Sequence, residues 1–162
     1  MALPLGESAA RAARLLAFAV PAGLLGGAYL SEYGFGLYPC EMCWWQRYAH
    51  FAALALAVPA VLLPQARVLT SLAGMAILFA GLIGGYHAGV EYGWWQGLTA
   101  CSTAIAATGD PLEAIMNTPL VRCDVAPWSL LGISLAGWNF LFSSAAALAI
   151  FLLLARGRKA PA

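Results

Sequence analysis

The residues best suited to chemistry are four cysteines in two pairs. Cys40 and Cys43 form a C-x-x-C, while Cys101 and Cys123 lie 22 positions apart. A C-x-x-C closes a small ring and is often redox-active. It is followed by a long apolar run, so Cys43 opens a helix, where unpaired backbone N–H groups and the helix dipole favour an anion. Arg47 follows four residues later and shares a helix face with Cys43. Both effects predict a thiolate at Cys43, a good leaving group and electron donor. Three uses fit such pairs. Structural disulfides are common outside the cell, although a two-residue ring braces little chain. A zinc site needs four convergent ligands, and here the second pair is wide. The third use is an electron relay in which one pair beside an apolar segment exchanges disulfides with a second pair on a loop.

The elements that must position these residues follow from composition. Of 162 residues, 62% are hydrophobic and 9% charged, with a net charge of +1; the mean hydropathy is +0.80. A soluble domain of this size would carry about 25% charged residues. The balance therefore excludes an ordinary soluble domain, and it offers no basic field for nucleic acid. Four windows are long and apolar enough for membrane helices, at approximately 15–30, 44–63, 68–90 and 130–155. The expectation is an all-α integral membrane four-helix bundle, a single domain over residues 1–162. Pro64-Gln65-Ala66-Arg67 forces an antiparallel hairpin between the second and third spans, and Pro21 and Pro59 lie inside spans.

Charge orients the bundle. The termini and the 64–67 turn hold Arg11, Arg14, Arg67, Arg156, Arg158 and Lys159 against Glu7; the opposite side holds Arg47 and Arg122 against six acids. The excess of basic residues predicts cytoplasmic termini. Two loops, approximately 31–43 and 91–129, then face outward and carry all four cysteines, in a compartment where disulfides persist. The first window also has the form of a cleavable signal peptide, and cleavage would leave the same loops outside. Within the second loop, residues 109–116 form a candidate short helix after Asp110, with Leu112, Ile115 and Met116 on one face.

Other polar residues lie near the outer boundary. His87 is four residues before Glu91 and shares its face; it suits either a bond to an acceptor's oxygen or a structural bond to Glu91. His50, one turn below Arg47, reads as a packed, hydrogen-bonded residue, and Asn139 as a helix–helix hydrogen bond. Trp44, Trp45, Tyr48, Trp94, Trp95 and Trp128 form an interfacial aromatic belt.

The run Pro39-Cys40-Glu41-Met42-Cys43-Trp44-Trp45-Gln46-Arg47 resembles the P-C-x-x-C-x-x-x-R signature of the disulfide bond formation protein B family. Gly85 to Glu91, Cys123-Asp124 with Trp128, and Gly132 to Asn139 resemble its later segments. The resemblance implies a thiol-disulfide oxidoreductase of the bacterial inner membrane with two periplasmic loops. Such a protein reoxidises a periplasmic DsbA-type dithiol oxidase and passes the electrons to a membrane quinone, ubiquinone or menaquinone. It also implies roles. Cys101 forms the mixed disulfide with the partner, Cys123 exchanges with Cys40, Cys43 engages the quinone, and Arg47 and His87 line its ring. No metal is implied. A vitamin K epoxide reductase-like enzyme shares the four-helix logic, but its redox pair lies on the last helix. A non-enzymatic membrane protein with two structural disulfides is the alternative from another class.

Overall fold

The computed structural model describes residues 5–63, 66–98 and 121–159. Its described residues form four helices and one short hairpin: α1 (Leu5–Phe35), α2 (Glu41–Leu62), α3 (Arg67–Glu91), β1 (Ser129–Leu130), β2 (Ile133–Ser134) and α4 (Leu135–Lys159). Cys101, the candidate helix at 109–116 and residues 64–65 of the 64–67 turn lie outside these residues.

The ends of the helices decide where the site residues fall. Helix α1 runs five residues past its apolar window and stops at Gly36, whose φ of +68° places it in the left-handed region; its N–H donates to the Glu32 carbonyl. The first outer connection therefore shrinks to Gly36–Cys40. Helix α3 ends in a Schellman motif: Gly93, at φ +71°, donates to Val90, and the Trp94 N–H donates to Gly89. Trp95 then folds back over Gly89, donating from its indole to the Tyr86 carbonyl at 2.9 Å.

The fourth apolar window differs from its expected form. Residues 130–134 are not helical; Ser129 pairs with Ser134 and Leu130 with Ile133 across a two-residue turn. Leu131 and Gly132 sit at φ 55° and 77°, as a tight hairpin turn requires. Ser134 is the physical reason for the later start. Its hydroxyl accepts the Gly137 N–H at 3.1 Å and caps α4. The Tyr92 hydroxyl accepts the Ser134 N–H and donates to the Gly132 carbonyl, tying the hairpin to the end of α3.

The helices pack as a ring in which α1 and α3 each contact α2 and α4. The core is built largely of alanine: Ala13, Ala17, Ala53, Ala57, Ala73 and Ala147 are buried around Ile77 and Ile150. Small residues let helices approach closely where lipid removes the hydrophobic driving force. Met75, Phe79 and Leu82 share an exposed face of α3, as a lipid-facing surface requires. At the end carrying the termini, Arg14 donates to the Leu63 carbonyl and Arg67 to that of Leu154.

Helices α1, α3 and α4 are long and apolar enough to cross a membrane. The second expected span falls short of the same threshold because Gln46, Arg47 and His50 occupy its outer part. The helix that falls short is the one that carries the C-x-x-C and Arg47.

Candidate functional site

Cys40 is the N-cap of α2. Its backbone is extended, with φ −78° and ψ 176°, and its Sγ accepts the Cys43 N–H at 3.2 Å. The C-x-x-C spacing is thus the spacing of an N-cap and its third helical residue, with sulfur taking the place of the usual serine or aspartate oxygen. The two sulfurs lie 2.7 Å apart. The apolar window expected for α2 starts beyond them, at Trp44.

Their acidities diverge. The hydrogen bond from Cys40 is the largest cause lowering the Cys43 pKa; burial opposes it, and a backbone hydrogen bond at Cys40 adds to the lowering. The same shared proton, and then burial, push the Cys40 thiol far above its ordinary value. In the reduced pair both shifts favour keeping the proton on Cys40 and make Cys43 the more acidic thiol.

The Cys43 pKa is shifted in the expected direction, but one of the expected causes is not a contact in the structure. Arg47 turns toward α1. It pairs with Glu32 at 2.5 Å, donates to the Ala28 carbonyl at 3.1 Å, and lies 4.7 and 4.9 Å from the ring centres of Tyr29 and Trp44. Both members of the ion pair are largely buried, with 5% and 12% side-chain exposure. This pair, and not a bond to sulfur, fixes the guanidinium beside the cysteines.

His87 reaches the pair from α3, its Nε2 3.6 Å from Cys40 Sγ and 3.7 Å from Glu91 Oε1. Cys123 is buried in one cluster with Cys40, Met42 and Val90, against which Cys43 and Tyr86 pack. The structure thus brings Cys40, Cys43, Cys123, Arg47 and His87 to one end of the bundle.

Cys40, Cys43 and His87 also bring potential ligand atoms within 4.8 Å of one another. Two thiolates on one tetrahedral zinc, at about 2.3 Å each, would sit about 3.8 Å apart. The observed 2.7 Å is shorter than that separation, so the pair as placed does not have the spacing of two thiolates on one zinc.

A buried amide network extends inward from His87. Gln46 Nε2 lies 3.0 Å from His87 Nδ1 and donates to the Met42 carbonyl. Gln46 Oε1 accepts from Asn139 Nδ2 at 2.7 Å, and Asn139 Oδ1 lies 2.8 Å from His50 Nε2. Asn139 and His50 hold the interhelical, hydrogen-bonded positions expected of them. Glu32 and Gln46 are the residues that sequence reading missed. Glu32 is an acid one helix away from Arg47, and Gln46 is a polar side chain inside an apolar span, which in lipid demands a partner.

Two hollows meet at the cysteines. An outer cleft of about 300 Å³ is lined by both Cys40 and Cys43 together with His87, Glu91, Val121 and Arg122. A larger cavity of about 410 Å³ opens between α1, α2 and α4 and is lined by Cys43, Arg47, His50 and His87 and by apolar residues such as Leu24 and Phe142. Cys40 lines the first alone; Cys43 lines both.

The family model described as disulfide bond formation protein DsbB matches residues 10–153. The chain is 32% identical over 160 residues to the disulfide bond formation protein B of Aromatoleum aromaticum, covering 91% of this chain and 94% of the relative. It is 32% identical to that of an Azoarcus species over 153 residues (88% and 91%), and 30% identical to that of Marinobacter nauticus over 152 residues (87% and 90%). No solved structure matches the chain. With a helical membrane bundle, an N-capping C-x-x-C and matches of this extent, the chain belongs to the disulfide bond formation protein B family, as a multi-pass membrane protein of disulfide-bond formation.

Proposed function

We propose that this protein reoxidises a periplasmic DsbA-type dithiol oxidase and delivers the two electrons to a membrane quinone, from a bacterial inner membrane with both termini cytoplasmic. Cys101 and Cys123 receive the partner's electrons by disulfide exchange. Cys123 then exchanges with Cys40, leaving Cys43 as the thiolate that faces the acceptor. A bound quinone would supply a two-electron, two-proton sink; a DsbA-type disulfide is strongly oxidising, near −120 mV, so an ordinary structural disulfide cannot restore it.

The observation that carries this reading is the division of the two hollows. Cys40 meets only the outer cleft, where another thiol would arrive, whereas Cys43 also meets the cavity between the helices. That cavity suits a ring with an apolar tail: it is mostly apolar, with a few convergent polar groups on one wall. Arg47 and His87 would hold the head group, and the Glu32 pair keeps Arg47 at that wall without using all of its donors. Next to the outer cleft, Cys123 is packed in the Cys40 cluster, the contact that exchange between them requires.

The test is turnover by the purified protein in detergent, with a reduced DsbA-type oxidase as donor and quinone absorbance as readout. Steady quinone reduction, lost in both Cys43→Ser and Cys101→Ser, is the expected result. Failure with competent donor and several quinones would leave two structural disulfides as the better reading.

A further inference from the structure

His50 carries an unexplained atom. The side chain is 3% exposed and lines the cavity between the helices, yet its Nδ1 is buried with no hydrogen-bond partner. Such an atom forfeits the bonds it would make in water. Its neighbours fix its character by donor accounting. The two protons of Asn139 Nδ2 are used on Gln46 Oε1 and the Ala80 carbonyl. Asn139 Oδ1 must then accept, taking bonds from Ser143 Oγ and from His50 Nε2. A neutral His50 therefore carries its hydrogen on Nε2, and Nδ1 presents a bare lone pair. Had Nδ1 carried the hydrogen, Nε2 and Asn139 Oδ1 would face each other as two acceptors.

The His50 ring lines the cavity, and its unpartnered acceptor, within reach of a small turn of that ring, suits a hydroxyl and not a carbonyl. We propose that His50 Nδ1 is a binding contact for the reduced ring, accepting a hydrogen bond from a hydroquinone O–H, and that it favours the hydroquinone over the quinone in this cavity. The proposal rests on the quinone reading above. Gln46 and Asn139 act on it as positioning residues, since they fix the tautomer. Arg47, a pure donor, suits the carbonyl of the oxidised ring, so the cavity wall offers complementary groups to the two forms.

Binding tests this without turnover. The background is the Cys40→Ser/Cys43→Ser protein, in which this pair cannot exchange electrons, titrated anaerobically in detergent with ubiquinol-1 and ubiquinone-1 by tryptophan quenching. His50→Leu is expected to weaken ubiquinol-1 about fivefold to tenfold, the loss of one buried hydrogen bond, and ubiquinone-1 less than twofold. Equal weakening of both rings, or of neither, overturns the role of His50 while leaving the quinone reading intact. Absence of binding of either ring when His50 is present overturns both. A second measurement needs no His50 substitution. The chain has 2 histidines, so ¹⁵N-histidine spectra resolve His50 directly. Its unprotonated Nδ1 resonance should move on adding ubiquinol-1; a resonance that stays fixed at saturation contradicts the contact.

Discussion

At Cys43 a shared proton and a helix terminus act on one sulfur. The proton held by Cys40 is the stronger influence, so the reduced pair should titrate asymmetrically. Alkylation of reduced protein with iodoacetamide, followed against pH, should give a midpoint for Cys43 below the ordinary thiol value of about 8.5. Cys40→Ser should move that midpoint upward, because a serine hydroxyl gives a weaker charge-assisted bond; an unmoved midpoint would assign the effect to the helix terminus alone. The sign for stability follows. A depressed folded pKa stabilises the reduced form fully above the unfolded thiol's pKa, and that contribution is lost as pH falls through the folded value. Arg47 supports a separate prediction. Glu32→Ala leaves a buried guanidinium without its carboxylate and should cost about 3–5 kcal/mol. Adding Arg47→Met to that variant should recover part of the loss in a double-mutant cycle, measured by thermal unfolding in detergent. Additive effects would mean that the pair is not coupled. The C-x-x-C and Arg47 were legible as chemistry from type and spacing. The partner of Arg47 was not, because Glu32 lies 15 residues away on another helix.

Among the elements, the glycines separate close approach from tolerance. A Cβ on Gly84 would stand 2.8 Å from Asn139 Nδ2 and 2.9 Å from the Ala136 carbonyl, whereas one on Gly26 meets nothing within 4 Å. Alanine is the better helix former by about 1 kcal/mol, so Gly26→Ala should be neutral or mildly stabilising. Gly84→Ala should instead destabilise by about 1–3 kcal/mol, as overpacking does, and should loosen the Gln46–Asn139 bond that joins α2 to α4. Equal unfolding temperatures for the two variants would contradict the assigned packing. Periodicity and hydropathy found four helical windows, since lipid demands long apolar helices. They could not find that α1 extends to Gly36 or that α4 waits for its Ser134 cap, because ends are set by local capping and by neighbours such as Tyr92.

For the whole molecule, the bundle sets a polar end against an alanine-rich, lipid-faced body. Its candidate site lies where an outer cleft and a cavity between helices share one cysteine. That plan was partly legible: the C-x-x-C and Arg47 pointed to the end where the structure gathers Cys40, Cys43, Cys123, Arg47 and His87, and the resemblance implied the reaction. The cavity was not legible, because residues of all four helices and of the connections between them line it, and no one of their sequences gives a sign of the space between them. The central claim is that Cys40 and Cys43 hand two electrons to a quinone directly. The most direct test is a single turnover without any partner: fully reduced protein is mixed anaerobically with one equivalent of ubiquinone-1, and lost thiols and reduced quinone are counted together. The account predicts two thiols lost for each quinone reduced, with none in Cys43→Ser and full yield in Cys101→Ser. Quinone reduction that persists in Cys43→Ser, or thiols that stay reduced in the wild type, would contradict it.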